Sequence, residues 1–108
     1  MERTLMASQP LSPELLESIA ARFRALAEPA RLHIVHALRM GELSVSELVH
    51  ATGLGQANVS KHLQLLHAAG FVRRRRDGLF ARYALADQDV AQLCDRMRGR
   101  LEPEGTRG

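Results

Sequence analysis

The sequence has few of the features that mark secreted proteins or membrane proteins. It has 108 residues with one cysteine, Cys94, no tryptophan, and an aromatic content of 4%. A single cysteine excludes an intramolecular disulfide, and no apolar run approaches the ~18 residues that a membrane-spanning helix needs. The segment from Met1 to Gln9 is polar and charged rather than typical of a signal sequence, so we expect a cytoplasmic protein.

Motifs for catalysis or cofactor binding are also missing. The chain has no glycine-rich phosphate loop, no cluster of metal-ligating residues and no nucleophile next to a base. A single domain of this length also leaves limited room for a deep substrate pocket. We therefore expect that the protein is not an enzyme and has no cofactor.

Positive charge is concentrated in one part of the chain. The formal net charge is only +3, but Lys61, Arg82 and the run from Arg73 to Arg76 lie between Gly55 and Tyr83, where Asp77 is the only acidic residue. The rest of the chain is therefore net acidic. Such asymmetry is typical of a surface that binds a polyanion, although a solvated basic surface would have the same composition.

Hydrophobic periodicity predicts a helical domain over residues 12–102. Ser12, Pro13 and Glu14 form a helix start, and Pro29 begins a second helix. Apolar residues recur at helical spacing in the first helix, in the second, and in a last helix for which Asp87 is the expected N-cap. These stripes are Leu15, Leu16, Ile19, Phe23 and Leu26; Leu32, Val35 and Leu38, flanked by Ile34; and Val90, Leu93, Met97 and Leu101. The segments 1–11 and 103–108 are predicted to be flexible tails.

The middle of the chain predicts a winged helix-turn-helix. Helices over Val45 to Thr52 and about Gln56 to Ala69 are separated by Gly53-Leu54-Gly55. The period then changes from 3.6 to 2, and Asp77-Gly78 is predicted to be the tight turn of a β-hairpin. The expected fold class is mainly α with a small β-hairpin, in the order α-α-α-α-β-β-α.

The second of these helices has the residues expected of a helix that reads duplex DNA. Val59, Leu63 and Leu66 fall on one side and are predicted to anchor it in the core. The remaining side chains suit base edges, since Gln and Asn pair with adenine, Lys pairs with guanine and Ala packs against the thymine methyl. The predicted DNA-binding residues are Gln56, Ala57, Asn58, Ser60, Lys61 and Gln64, with Arg74, Arg76 and Arg82 in the wing. An ordinary hydrated helix face is the alternative.

Several segments, in this order, resemble the arsenic-repressor (ArsR/SmtB) family of metal-sensing and ligand-sensing repressors. The matching segments are Phe23 to Leu32, Gly41 to Leu48, Val59 to Leu63, Ala69 to Val72 and Tyr83 to Leu85. The resemblance covers about residues 15 to 101. It implies a homodimer joined by the first and last helices, with two recognition helices about one DNA turn (~34 Å) apart on a palindromic operator.

The metal ligands that many members of this family have are absent from the matching positions. Ser44 and Ser46 stand where those members have a Cys-x-Cys pair, and hydroxyls are poor ligands for soft metals. Where others bind zinc, this chain has Asp87, Asp89, Arg100 and Pro103. We therefore expect no metal at either site, and the residues identify no effector.

Other potential sensing residues allow two interpretations each. His33 and His36 are three residues apart and could share a metal, but they lack an obvious third ligand. His62 is expected to be half-buried with its hydrogen bonds satisfied. Cys94 could form a thiol switch, but as a lone cysteine it is more simply explained as an inert, partly buried thiol.

The main alternative function is a winged-helix module that binds another protein and has lost specific DNA binding. A basic wing together with a polar recognition helix favours DNA. Salt dependence distinguishes the two, because DNA binding weakens steeply with salt through counterion release and apolar docking does not.

Overall fold

The computed structural model describes residues 9–102, which form five α-helices and a three-stranded antiparallel sheet. The helices are α1 (Pro13–Leu26), α2 (Pro29–Ala37), α3 (Val45–Thr52), α4 (Gln56–Ala68) and α5 (Asp89–Leu101). A 3-10 turn (Leu38–Met40) follows α2, and the strands are β1 (Leu43–Ser44), β2 (Val72–Asp77) and β3 (Phe80–Leu85). Of the predicted tails, residues 1–8 and 103–108 lie outside the described residues.

The predicted starts of the first two helices are confirmed. The Ser12 hydroxyl accepts a hydrogen bond from the Leu15 amide at 3.1 Å, and Pro13 lies in the first turn of α1. Pro29 lies in the first turn of α2, where its fixed φ fits a helix and its missing N–H costs nothing. Local sequence therefore determines where each of these two helices begins.

The core lies where α2, α3 and α4 meet the sheet. Ile34, Leu48 and Leu63 are completely buried in it, and the described residues include no buried polar side chain. Of the apolar stripe identified in α2, Val35 and Leu38 are buried and Leu32 is exposed, whereas the flanking Ile34 is completely buried. The core consists of Leu26, Ile34, Val35, Leu38, Leu48, Val59, Leu63, Leu66, Phe71, Val72, Tyr83, Leu85, Val90 and Ala91.

The apolar stripes of α1 and α5 are mostly outside this core. In α1 only Leu26 is buried, and in α5 only Val90 and Ala91 are buried. Phe23 is 58% exposed and Met97 is 54% exposed. These two helices therefore present apolar side chains that the chain's own core does not cover.

The sheet adds one strand to the predicted hairpin and shifts its turn. The short strand β1 pairs with β3, which gives the order β1-β3-β2. Asp77 pairs with Phe80, so the turn consists of Gly78 and Leu79 rather than the predicted Asp77-Gly78. Gly78 has φ of 63°, as expected for a two-residue turn with glycine at its first position.

The predicted N-cap of α5 is one residue away from the observed one. Gln88 is the N-cap residue and makes no side-chain cap bond. Asp87 instead accepts a hydrogen bond from the Asp89 amide at 2.9 Å and one from the Arg22 guanidinium at 3.2 Å. Arg22 also donates to the Ala69 carbonyl at 2.7 Å, so it links α1 to the end of α4 and to the start of α5.

Within residues 9–102, no helix is both long and apolar enough to cross a membrane.

Candidate nucleic-acid interface

Helix α4 is anchored by one face and presents another to solvent. Val59, Leu63 and Leu66 are fully buried, as predicted. At 100° per residue, the side of the helix opposite to them contains Ala57, Lys61 and Gln64. Ala57 is small, which leaves room for close approach, and it is flanked on this face by polar and charged side chains.

The structure places most of the predicted α4 residues in solvent but does not bring all of them together. Gln56, Ala57, Asn58, Lys61 and Gln64 are exposed, and Ser60 is half-buried. Asn58 and Ser60 lie on opposite flanks of the helix, because side chains two positions apart in an α-helix point in directions about 200° apart around its axis. A surface that meets the exposed face squarely therefore has Asn58 and Ser60 at its two edges rather than at its centre.

Helix α3 begins with a capping box and ends at a left-handed glycine. The Ser44 hydroxyl accepts from the Glu47 amide at 3.1 Å, and Glu47 Oε1 accepts from the Ser44 amide at 2.9 Å. The pKa of Glu47 is lowered from 4.5, first by this amide and also by Arg82, while burial opposes the change. Gly53, with φ of 75°, ends α3 and turns the chain toward α4.

Replacing Ser44 with alanine is expected to lower the free energy of unfolding by about 1 kcal/mol, because the first turn of α3 loses an acceptor for its amide. The Glu47 half of the box acts only while the carboxylate is ionised. Its contribution is complete above pH 4.5, the ordinary pKa of this group, and is lost as pH falls through the lowered folded pKa. Urea unfolding at neutral pH measures the first effect. Unchanged stability of the variant would contradict the role of Ser44.

A hydrogen-bonded arginine connects α4 to the end of α1. Arg31 donates from Nη1 to His62 Nδ1 at 3.2 Å and from Nε to the Ala25 carbonyl at 2.6 Å. His62 is half-buried with a hydrogen-bond partner, as predicted. Because a guanidinium nitrogen can only donate, Nδ1 of His62 is the acceptor of this hydrogen bond.

The wing arginines point to two faces of the hairpin. Arg74 is opposite Tyr83 and Arg76 is opposite Ala81, whereas Arg75 is opposite Arg82. Directly paired residues share a face of a sheet. Arg74 and Arg76 therefore lie on one face, and Arg82 lies on the other, so the three wing residues that were predicted to bind DNA do not share a face.

Within residues 9–102, carboxylates engage two of the three arginines of that second face, Arg75 and Arg82, but not Arg73. Arg75 binds both oxygens of Glu42, at 2.9 and 3.0 Å, and this contact lowers the pKa of Glu42. Arg82 contacts Asp77 at 3.1 Å and Glu47 at 3.3 Å. Arg73, Arg74 and Arg76 form no ion pair with any residue of the described segment 9–102, and all three side chains are exposed. The wing is therefore less positive on one face than its sequence indicates.

The wing tip and the starts of α3 and α4 enclose a groove of about 490 Å³. Ser46, Gln56 and Phe80 are among its lining residues. Phe80 and Leu79 are exposed at the tip, and the predicted site did not include them. The available signal was the pair of apolar residues directly after Gly78, where a turn usually has polar side chains.

A second groove, of about 710 Å³, lies between α1 and α5. Phe23, Leu93 and Met97 line it together with Cys94. The Cys94 thiol is exposed in this chain rather than partly buried, so that expectation was wrong.

Within residues 9–102, no three His, Cys, Asp or Glu side chains are grouped as they would be around a metal ion.

Comparison with known proteins gives matches to one group of regulators. Residues 28–74 match the family described as bacterial regulatory protein, arsR family. The chain is 41% identical over 88 residues to the HTH-type transcriptional regulator NmtR of Mycobacterium tuberculosis, covering 82% of this chain and 73% of that protein. It is 42% identical over 77 residues to a probable mercury resistance operon repressor of Streptomyces lividans, covering 71% of this chain and 62% of that protein.

Solved structures agree with these matches. NolR from Sinorhizobium fredii superimposes with a TM-score of 0.73 at 34% identity, covering 83% of this chain and 93% of that chain. A homodimeric winged helix-turn-helix DNA-binding domain from Mycobacterium bovis gives a TM-score of 0.71 at 35% identity, covering 82% and 84%. The predicted winged helix-turn-helix fold is confirmed.

Proposed function

The chain belongs to the ArsR family of bacterial regulatory proteins, and from this premise we propose that it is a transcriptional repressor that binds a palindromic operator in double-stranded DNA as a homodimer. The named relatives are transcriptional regulators and repressors. The proposed role is therefore regulatory rather than catalytic, and the expected place of action is the cytoplasm, where the DNA is.

The exposed face of α4 is the observation that supports this proposal most strongly. Lys61 and Gln64 project from the side of α4 opposite to its buried anchor, and Gln56 lies at its start. In the major groove, lysine donates to guanine, glutamine pairs with adenine, and Ala57 fits against a thymine methyl group. Asn58 and Ser60, on the two flanks, are proposed to contact the DNA at the edges of the helix.

The wing is proposed to add sequence-independent binding. Arg74 and Arg76 share a face, are exposed, and are not engaged by carboxylates of the described residues. They suit phosphates or a narrow minor groove. Arg82 remains a candidate, but its contacts with Asp77 and Glu47 must be exchanged for contacts with phosphate. We therefore expect Arg82 to contribute less than Arg74 or Arg76.

The dimer is proposed to form through α1 and α5. Phe23, Leu93, Met97 and Leu101 line the groove of about 710 Å³, and a contiguous exposed apolar surface is typical of a protein–protein interface. The Mycobacterium bovis domain is homodimeric. The exposed apolar residues on these helices are Leu15, Leu16, Phe23, Leu93, Met97 and Leu101.

Comparison of two wing variants tests the proposal. Arg74→Ala and Arg75→Ala remove the same charge from neighbouring positions of β2, but only Arg75 is bound to Glu42. In a titration of an arbitrary duplex against salt, Arg74→Ala is expected to reduce the slope of log K by about 0.9, and Arg75→Ala by less. Binding that does not depend on salt in the unmodified protein would contradict DNA binding and favour a protein partner.

A further inference from the structure

Two large apolar side chains project from the tip of the basic wing. Leu79, the second residue of the turn, is 93% exposed, and Phe80, the first residue of β3, is 70% exposed. Single exposed apolar residues are common on protein surfaces. A pair at the tip of a hairpin is different, because turn tips favour Gly, Asn, Asp and Ser, which have local physical reasons to be there.

Within residues 9–102, neither side chain of this pair belongs to the buried core. Phe80 lies opposite Asp77 at the end of the ladder, beyond the buried positions Tyr83 and Leu85 of the same strand. Gly78 alone supplies the backbone conformation that the turn requires. A polar residue at either apolar position would close the same turn, so the hairpin itself does not require Leu79 or Phe80.

The tip is placed next to the start of the DNA-reading helix. Leu79 and Phe80 line the same groove as Ser46 and Gln56. Strands of six residues extend about 20 Å, which is enough to pass over one sugar-phosphate backbone when α4 lies in the major groove. The next surface that the tip meets is the adjoining minor groove, and Arg74 and Arg76 then lie near the phosphates that border it.

From this placement we propose that Leu79 and Phe80 form an apolar wedge that enters the minor groove of the bound DNA and partly unstacks a base step. Leucine and phenylalanine are among the residues that proteins insert between base steps from this groove. Pyrimidine–purine steps such as TA unstack most easily, so the wedge would select them at positions that α4 does not contact. This inference rests on the proposed function.

The experiment compares Leu79→Ser/Phe80→Ser with the matched control Met40→Ser. Met40 is 88% exposed and lies in the 3-10 turn rather than on the wing. The probe is a duplex that contains the palindrome selected by the protein from a random-sequence pool. Each flanking step in the probe is changed in turn between TA and AA. Affinity is measured by fluorescence anisotropy, and bending is measured by energy transfer between dyes at the two ends.

The unmodified protein and Met40→Ser are expected to prefer TA at one flanking step and to bend the duplex. The double variant is expected to lose that preference and the bend, with a loss in affinity of at least about tenfold, the effect of no longer burying even one of its two large apolar side chains. Unchanged step preference and bending would overturn the wedge. If Lys61→Ala still loses affinity in that case, the proposed function stands and only the wedge fails. If no sequence is selected from the pool, both fail.

Discussion

Replacement of Phe23 with aspartate is expected to convert the protein from a dimer to a monomer and to lower its affinity for the operator by at least about 100-fold. Phe23 is 58% exposed in the single chain and lines the groove between α1 and α5. A carboxylate buried in an apolar interface has a large desolvation cost. A monomer binds one half-site only and loses the avidity that two linked sites provide, typically 10²- to 10⁴-fold.

Analytical ultracentrifugation and an operator titration measure these two effects separately. Met40→Asp is the matched control, because it adds the same negative charge at an exposed apolar position outside α1 and α5. The control is expected to remain dimeric. Because Phe23 is not part of the buried core, the variant is expected to keep its helical circular-dichroism spectrum. A dimer with unchanged stability in the Phe23→Asp variant would contradict the proposed interface.

Replacement of Lys61 with alanine is expected to lower operator affinity about 30-fold or more while affinity for unrelated duplex falls only slightly. Lys61 lies opposite the buried face of α4, where a base contact is geometrically direct. Each base-specific contact is worth about 1–3 kcal/mol, and a dimer has two copies of it. Gln56→Ala is expected to act in the same direction.

The ratio of operator affinity to non-specific affinity is the quantity to measure. His67→Ala is the control, because His67 is also exposed on α4 but lies in the last turn of the helix, away from its reading end. Its ratio is expected to match that of the unmodified protein. If Lys61→Ala kept the same ratio, the assignment of α4 as the recognition helix would be wrong.

The sequence predicted those parts of the fold that depend on local rules. Helix starts at Ser12 and Pro29 follow from capping chemistry, and the buried face of α4 follows from helical spacing. Strand β1 was missed because it has two residues and no periodicity. The turn was displaced by one residue because Asp77-Gly78 and Gly78-Leu79 are both acceptable turn pairs, and pairing across the ladder decides between them.

The candidate site was predictable on the helix and less so on the wing. Exposure of Lys61 and Gln64 follows from the position of the buried stripe. The pairing of Arg75 with Glu42 joins residues 33 positions apart, and no local pattern reveals such a contact. The same reason explains why Arg82 was predicted to bind DNA although the fold places it between Glu47 and Asp77.

Two residues of this chain, Ser44 and Asp87, match positions where other members of the family have metal ligands, and both make structural contacts here. Ser44 caps α3 through the Glu47 amide, and Asp87 binds Arg22 and the Asp89 amide. Both residues therefore take part in contacts of the fold itself.

Selection from a pool of random-sequence duplexes is the most direct test of a dimeric, sequence-specific repressor. The purified protein is expected to enrich a palindrome whose half-site centres are about 10 base pairs apart, the spacing set by two recognition helices ~34 Å apart in a dimer. The Lys61→Ala variant is expected to enrich a different or weaker sequence. Absence of any enriched sequence, with salt-sensitive binding to every duplex alike, would contradict a sequence-specific repressor.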